Sequence, residues 1–401
     1  EWNSDGTVKT RSTTSEEQAA GWPAQDPVYN SGNVPTTDWA KYLTRTGITQ
    51  NHQVALSSGN DVSKLYMSLG YYNNKGTQEN QGYKRYSVRM NGETSPLKWL
   101  TVGVNLNTTL SEQKYGTSYR TGSATGANDA YGLALSQYIM AKPYDDNGNL
   151  ILYPGNNQAA PTWNPLINIS NTDDLTRKLN IQANTFADIK FTPWLKYHMN
   201  FGAGYRTSNS GSWQGSGSTT RLKSGLPTTA VASYSTSEVY QYLLENLLYA
   251  NKTFGKHDLG LTLMQSGQYA RNVGSNMSAS SIFYDACKWY NLAANSNGKP
   301  DSYGTSFSET SMISYMARFN YAFNSRYLFN ASLRSDGASQ LADGHKWDLF
   351  PSASVAWKLH EESFMKSFKW MDELKLRFGM GTSGNSAVSA YSSAGPLAQY
   401  A

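Results

Sequence analysis

The chain has 401 residues, of which 16% are charged and 13% are aromatic, and its formal net charge is +5. The charged fraction is well below the roughly 25% of an average soluble domain, and no block of like charges indicates a nucleic-acid partner. The single cysteine excludes an internal disulfide framework and a cysteine-based zinc site. No segment approaches the ~20 consecutive apolar residues of a membrane helix, which excludes a helical membrane protein. The mean hydropathy of −0.57 is compatible with a β-barrel, whose strands alternate apolar and polar residues.

Residues 1–48 are predicted to form a loop region on the extracellular side, leading into a barrel that covers residues 49–385. Within the barrel region, apolar and polar residues alternate at every second position, which is the period of a strand with two different faces. Segment 195–206 shows the pattern most clearly. Its apolar side consists of Leu195, Tyr197, Met199, Phe201, Ala203 and Tyr205. Its polar side consists of Lys196, His198, Asn200, Gly202, Gly204 and Arg206.

The alternation predicts roughly twelve strands, several of about 10–16 residues, which suits tilted membrane-crossing strands better than soluble strands of about 5–6 residues. Short and long connections follow one another along the chain. Long loops are predicted at 113–174, 207–237 and 272–305, and a further loop is predicted to start within 386–401. Outer-membrane barrels combine short periplasmic turns with long extracellular loops. The predicted fold class is therefore an all-β, transmembrane antiparallel β-barrel.

Two tryptophans occupy equivalent positions in this pattern. Trp99 and Trp194 each follow a short turn that contains a proline, and each is followed by leucine at the start of a strand. An indole suits the boundary between lipid and water because one end of it is apolar and the other polar. A tryptophan at a hairpin end of a soluble core is the alternative. The repetition of the position favours a membrane-interface girdle.

Two stretches carry ordered motifs of a known family. The first, 51–91, includes Ser68-Leu69-Gly70-Tyr71 and Arg85-Tyr86-Ser87-Val88-Arg89-Met90-Asn91. The second, 319–385, includes Arg326-Tyr327-Leu328, Leu333-Arg334-Ser335-Asp336-Gly337, Phe350-Pro351-Ser352, Ala356-Trp357, Leu374-Lys375-Leu376-Arg377 and Gly384-Asn385. On these motifs, which cover about a third of the chain, the sequence resembles SusC/RagA-like TonB-dependent outer-membrane transporters.

The resemblance implies a segment of a barrel of about 22 strands, without the plug domain, in the outer membrane of a Bacteroidota-type bacterium. It implies import of oligosaccharides or oligopeptides. The implied partners are a SusD-like surface lipoprotein above the loops, the lipid bilayer, and TonB-ExbB-ExbD acting through a plug and TonB box outside this segment. No nucleic acid and no cofactor is expected.

Candidate site residues come from the loops and from the polar side of the strands. Aromatic loop residues can stack on sugar rings or pack against a protein lid, and the candidates for such contacts are Trp213, Tyr284, Trp289 and Tyr290. Loop packing is an equally good interpretation of each. The lumen-facing wall is predicted to contain Lys196, His198, Asn200, Arg334 and Asp336. For Arg334 and Asp336, a structural salt link is preferred to ligand binding.

Catalytic motifs are weak, and we expect neither an enzyme nor a metal site. The five histidines are far apart in sequence, and no nucleophile elbow is present. Segment 379–384 matches G-x-G-x-x-G, but a strand rather than a helix is predicted there. The main alternative function is a β-rich surface binding protein or adhesin that does not transport. An outer-membrane barrel enzyme is a third possibility, for which no Ser/His or Asp/His arrangement is found.

Overall fold

The computed structural model describes residues 3–5, 7–21, 23–28, 36–116, 130–154, 163–222, 227–365, 367–368 and 370–394. The helices are α1 (Ser15–Ala19), α2 (Trp39–Leu43), α3 (Ala130–Leu135) and α4 (Ile167–Asn171). The strands are β1 (Thr10–Ser12), β2 (Gln25–Pro27), β3 (Ile48–Gly59), β4 (Ser63–Lys75), β5 (Gln81–Leu97), β6 (Leu100–Tyr115), β7 (Thr172–Thr192), β8 (Leu195–Gln214), β9 (Ala230–Phe254), β10 (His257–Ile282), β11 (Ser302–Phe323), β12 (Tyr327–Ala338), β13 (Trp347–Lys358) and β14 (Lys375–Gly381). Within the described part of the chain, no helix is long and apolar enough to cross a membrane.

Strands β3 to β14 form one twelve-stranded antiparallel sheet in which every strand pairs with its neighbours in sequence. Strands β1 and β2 form a separate two-stranded ribbon. The sheet confirms the all-β antiparallel fold and the roughly twelve strands predicted from the alternation. Parts of the predicted loop regions 1–48, 113–174, 207–237 and 386–401 lie outside the described residues.

The strands are longer than the sequence pattern predicts. Strands β9 and β10 have 25 and 26 residues, and β8 continues to Gln214 inside the predicted loop 207–237. These extensions contain mainly Ser, Thr, Asn and Gly, so the apolar and polar alternation disappears while the hydrogen-bonded ladder continues. Backbone pairing does not require apolar side chains where neither face of a strand contacts lipid.

The shortest connections lie at one end of the sheet and the longest at the other, with two departures: connection 359–374 lies with the short turns and the five-residue connection 76–80 with the long loops. At one end, two-residue turns join β5 to β6, β7 to β8 and β9 to β10, while residues 324–326 join β11 to β12. Asn324 and Ser325 have φ of 49° and 55°, the left-handed conformation of tight hairpin turns. At the opposite end, β6 is joined to β7, β8 to β9 and β10 to β11 by the long connections 116–171, 215–229 and 283–301, of which 117–129, 155–162 and 223–226 lie outside the described residues. We call these the short-turn end and the loop end.

Register continuity gives the sheet two chemically distinct faces. Directly paired residues share a face, so the apolar side of β8 continues through Leu179 and Ile181 on β7 to Leu106 and Leu110 on β6. We call this the apolar face and the opposite one the polar face. Apolar-face side chains are exposed rather than packed in a protein core: Phe201 is 40% exposed, Leu333 47% and Val355 50%. An apolar surface of this extent marks a membrane or protein contact rather than a face in water.

Candidate lumen wall and extracellular loop cluster

Lys196, His198 and Asn200 lie on the polar face and take part in two neighbouring polar groups across β7, β8 and β9. The carboxylate of Asp188 lies 2.8 Å from Nδ1 of His198 and 3.5 Å from Nζ of Lys196. The amide of Asn200 accepts a hydrogen bond from Asn184 (2.7 Å) and donates one to Glu245 (3.0 Å). The three predicted lumen residues on β8 are therefore brought together. Their contacts with Asp188, Asn184 and Glu245 on the neighbouring strands were not predicted, because only the strand register brings these residues together.

Arg334 and Asp336 form a separate pair on the polar face of β12. The Nε atom of Arg334 donates to Asp336 at 2.7 and 2.9 Å, and its NH2 group donates to Ser314 on β11 at 3.2 Å. Residues two apart on a strand share a face, which permits this contact. The guanidinium is held by wall neighbours, so the pair has the geometry of a structural salt link.

A concavity of about 460 Å³ lies on the polar face between these two groups. The amide side chains of four glutamines line it: Gln182, Gln241, Gln268 and Gln340. Gly204 makes room for them, since an added Cβ there would lie 2.8 Å from the Gln241 side chain. Amides both donate and accept hydrogen bonds. This uncharged polar lining was not predicted, because the glutamines lie on strands and a loop far apart in sequence.

Trp99 and Trp194 each occupy the second position of a two-residue turn at the short-turn end, so their equivalence in the fold matches their equivalence in the sequence. They are 49% and 44% exposed. The ammonium of Lys252 lies 5.9 Å from the centre of the Trp194 ring. A cation at this distance from an indole face is attracted by the ring quadrupole.

Glu362 organises a second aromatic group at the same end. Its carboxylate accepts hydrogen bonds from the Tyr327 hydroxyl (2.7 Å), the Trp357 indole (3.1 Å) and the Arg326 guanidinium (3.2 Å). The hydrogen bonds from Tyr327 and Trp357 are the main reason why the pKa of Glu362 lies below its usual value, with a smaller contribution from Arg326. This carboxylate therefore ties the connection after β13 to the base of β12 and β13.

A second aromatic belt crosses the apolar face nearer the loop end. Its ring pairs have centroids 4.8–6.1 Å apart: Tyr71 and Tyr86, Tyr205 and Tyr240, Tyr242 and Tyr269, and Tyr315 and Trp347. Tyr205 lies on β8, eleven positions after Trp194 in the preceding turn, and Trp347 and Trp357 lie ten positions apart on β13. At about 3.4 Å per residue and a tilt of about 40°, the belts are separated by roughly 26–29 Å, close to the height of about 25 Å of the apolar band of an outer-membrane barrel.

A hydrogen-bonded polar group lies on the apolar face about halfway between the belts. The Tyr197 hydroxyl donates to Asn246 (2.6 Å), whose amide donates to Gln265 (2.7 Å). Register places Asn246 directly beside Met199 and Gln265, on the apolar face. The two amides satisfy part of each other's hydrogen-bonding capacity, which lowers the cost of polar groups in an apolar environment.

The four predicted aromatic contact residues divide into two buried and two exposed. Trp213 and Trp289 are 5% and 7% exposed and belong to one apolar cluster with Leu175, Ala230, Ala232, Ala279, Ile282 and Leu292. Tyr284 and Tyr290 are 70% and 68% exposed. The cluster lies on the apolar face of the extended strands, where connection 283–301 folds back over it.

Polar contacts fasten this loop cluster. The ammonium of Lys288 lies 2.6 Å from the carboxylate of Asp173 and 5.3 Å from the centre of the Trp213 ring. Asp285 accepts hydrogen bonds from the backbone amide and hydroxyl of Ser216, which joins connection 283–301 to connection 215–229. A glycine is required at position 211, beneath the Trp289 ring, because a Cβ on Gly211 would lie 2.2 Å from that ring.

A second packed group joins the N-terminal region to the long connection 116–171. Trp39 of α2 is 4% exposed, packs with Leu43, Ala130, Ala134, Ala141 and Leu166, and donates its indole N–H to the Tyr138 carbonyl at 2.9 Å. The Asn164 amide is fully buried and donates to the carbonyls of Pro143 and Ile151 at 2.8 and 2.9 Å. The loop end therefore has its own small cores, unlike the membrane-level wall.

No family model matches the chain. Over 357 residues the chain is 28% identical to TonB-dependent receptor P3 of Formosa agariphila, covering 88% of this chain and 35% of that protein. Over 382 residues it is 24% identical to TonB-dependent receptor SusC of Bacteroides thetaiotaomicron, covering 88% of this chain and 35% of that protein.

The chain is homologous to SusC-like TonB-dependent receptors. The solved structure of the RagAB peptide importer in its closed-closed state superposes on this SusC-like segment with a TM-score of 0.73 at 22% identity, covering 89% of this chain and 39% of the other. The fold is thus that of part of an outer-membrane TonB-dependent barrel, which confirms the predicted resemblance, fold class and location. The segment spans 35–37% of the length of the curated relatives it matches.

Proposed function

We propose that the SusC-like segment forms part of the wall of an energised importer for oligosaccharides or oligopeptides across the outer membrane. The observation that carries this proposal is the division of twelve continuous strands into a hydrogen-bonded polar face and an exposed apolar face between two aromatic belts. A wall with these faces separates lipid from a water-accessible lumen. On this proposal Lys196, His198, Asn200, Arg334 and Asp336 line the lumen, and Trp99 and Trp194 lie in the membrane-interface girdle.

The sheet needs further strands to close. Within the described residues, β3 and β14 each pair on one side only. Unpaired backbone groups in lipid cost several kcal/mol each, so open edges are not stable there. We place this sheet in a barrel of about 22 strands with a plug in its lumen, by analogy with the receptors to which it is homologous.

The partners follow from the same homology. SusC is named a TonB-dependent receptor, and RagAB is named a peptide importer. We propose that TonB-ExbB-ExbD supplies the energy through a plug and TonB box outside this segment, and that a SusD-like lipoprotein docks at the loop end. The exposed rings of Tyr284 and Tyr290 are the aromatic candidates for contact with lipoprotein or substrate. Trp213 and Trp289 would support them by holding connection 283–301 in place.

The amide-lined concavity is the best candidate for a substrate contact on the wall itself. Amide groups hydrogen-bond both the hydroxyls of a sugar and the backbone of a peptide, so this lining suits either class. The wall acts without catalysis on this proposal, because the relatives are named receptors and the charged pairs on the polar face are held by wall neighbours. Transport requires a polar path, a gate and an energy source rather than a nucleophile.

The test is uptake by the complete receptor in its own outer membrane. Cells with and without the receptor gene are given fluorescent oligosaccharides and oligopeptides, and periplasmic accumulation is measured with and without an uncoupler of the proton gradient. We expect accumulation of one class that requires the receptor and is abolished by the uncoupler. Surface binding without accumulation, unchanged by the uncoupler, would instead indicate an adhesin and contradict the proposal.

Substitutions in the wall refine the test. Gln241→Ala and Gln268→Ala each remove one amide from the concavity, and we expect each to reduce uptake severalfold. Gln53→Ala is the matched control, because Gln53 lies on the polar face of β3, away from the concavity. Equal uptake by all three variants would remove the concavity from the substrate path while leaving import itself intact.

A further inference from the structure

Four basic side chains lie together on the apolar-face side of strands β4 to β7. Lys75 and Lys114 belong to one cross-strand row, joined through Gly82. Lys84 and Arg177 belong to the next row towards the short-turn end, joined through Glu112. Neighbouring strands are about 4.8 Å apart, so the four cations share a patch spanning about 15 Å. We call these four residues and Glu112 the cationic patch.

The cationic patch begins where the membrane belt ends. Tyr86 and Leu110, two positions below Lys84 and Glu112, are 52% and 48% exposed on the same face. Tyr86 is part of the aromatic belt nearer the loop end. Aromatic belts mark the level of the lipid headgroups. The cations therefore lie at the height of the headgroups of the outer leaflet, on the side facing lipid.

The charge of this patch is largely uncompensated. Arg177 lies 2.9 Å from Glu112, the one anion in the two rows. Lys75, Lys84 and Lys114 are exposed and form no ion pair within the described ranges of the chain. Four cations against one anion leave a strongly positive surface at a position where lysine stems can extend along the wall.

The balance of charges is different farther along the same belt, on strands β9 to β11. Strands β9 to β11 place Glu238, Arg271 and Glu309 at this level. Glu309 accepts a hydrogen bond from Tyr269 (2.9 Å), and the guanidinium of Arg271 lies 5.3 Å from the centre of the Phe307 ring. Two anions and one cation, each engaged within the wall, provide no comparable attraction for an anion.

We propose that the cationic patch is a binding site for the phosphate groups of an outer-leaflet lipid. Ammonium and guanidinium groups form charge-assisted hydrogen bonds to phosphate, and a basic residue close to an anionic membrane surface contributes substantially to binding. The lipid chains would lie against the exposed side chains of Tyr86 and Leu110 below. The inference rests on the barrel fold and its membrane orientation and is independent of the transported substrate.

The test uses the complete receptor extracted in detergent. Lipid A with two phosphates, or the same lipid after removal of both phosphates, is added, and the bound copies are counted by native mass spectrometry. Lys84→Gln/Lys114→Gln is expected to reduce retention of the phosphorylated lipid about tenfold or more, and Glu112→Gln to raise it. Arg271→Gln is the matched control and leaves retention unchanged. A heat-modifiability gel checks that each variant is folded.

The outcomes separate the sources of phosphate. Loss of retention on dephosphorylation and in the double lysine variant, without competition by excess inorganic phosphate, supports the lipid site. Equal retention of both lipids overturns it, as does an equal loss in Arg271→Gln. Complete competition by inorganic phosphate would also overturn it, because the patch would then bind free phosphate rather than a lipid.

Discussion

Strand β8 crosses two regions that use the same face in opposite ways. At the membrane level, Phe201 projects from the apolar face and is 40% exposed, whereas Trp213, on the same face near the loop end, is 5% exposed beneath connection 283–301. In the first region lipid covers the apolar side chains. In the second region water surrounds the barrel, so the protein has to provide the cover itself. An apolar face therefore requires either a lipid environment or a protein lid, and this chain uses both along one strand.

The largest effect is expected from a substitution that removes part of the protein cover over the apolar face. Trp213→Ala should destabilise the loop cluster by about 3–5 kcal/mol, as expected when a large buried aromatic side chain is truncated. Hydrogen exchange of connection 283–301 measures the loss. Tyr290→Ala is the control, because the exposed ring of Tyr290 should contribute about 0.5 kcal/mol or less. Equal protection in Trp213→Ala and wild type would show that the cluster does not hold the loop.

A matched pair on β9 tests the lipid-covered region. Leu244 lies on the apolar face beside Phe201, and its neighbour Leu243 lies on the polar face beside Gly202. Leu244→Arg should destabilise the membrane-inserted receptor by about 2–4 kcal/mol, the cost of arginine facing lipid near the bilayer midplane. Leu243→Arg should cost much less, because its guanidinium reaches the lumen. Denaturant unfolding in bilayers measures both, and the reverse order would show that the faces have been assigned the wrong way round.

A smaller effect concerns pH at the short-turn end. The pKa of Glu362 is lowered in the folded state by its hydrogen bonds to Tyr327 and Trp357. Its contribution to stability is therefore complete above its usual pKa of 4.5 and is lost as the pH falls through the lower folded value. We expect acid to loosen connection 359–374, as followed by hydrogen exchange. Glu362→Gln should show weaker protection at neutral pH and no further loss in acid, whereas an unchanged acid response would contradict the assignment.

The smallest expected effect is at the Trp194 turn. Lys252→Gln removes the cation 5.9 Å from the indole centre and should cost about 0.5–1 kcal/mol, the usual value for an exposed cation–π contact. The Trp194 fluorescence spectrum should shift in Lys252→Gln. Lys256→Gln, in the adjacent turn, is the control and should leave it unchanged. Identical spectra for both variants would show that Lys252 does not contact the ring in the membrane.

The membrane-level wall could be predicted because lipid and lumen impose different chemistry on alternate residues. The alternate apolar residues from Leu195 to Phe201 and the alternate polar residues from Lys196 to Asn200 lie on opposite faces, as predicted. The short turn predicted before Trp194 is present, but it includes Trp194 itself. The strand ends near the loops could not be predicted, because residues such as Thr207 to Ser212 carry no apolar alternation. Asn246 and Gln265 are exceptions to the pattern that only hydrogen bonding between strands explains.

The contacts within the candidate site were harder to predict from the sequence than the faces of the strands. The sequence pattern places Trp213 in a loop, whereas the residue belongs to β8 and supports connection 283–301 from below. Lys288 and Asp173 are 115 positions apart, and no local signal connects them. The glutamines of the concavity likewise come from strands and a loop that only the sheet order brings side by side. Residue periodicity indicates which face a side chain occupies, but it does not indicate its neighbours across the sheet.

The length of the central strands determines how far the loop end of this protein stands above the membrane. At about 3.4 Å per residue and a tilt of about 40°, the 26 residues of β10 rise to a total height of about 65 Å. With short turns at the opposite end, roughly half of that height stands above the bilayer. The loop end of the sheet therefore stands well clear of the lipid surface, and any molecule that approaches from outside meets protein before it meets the plane of the membrane.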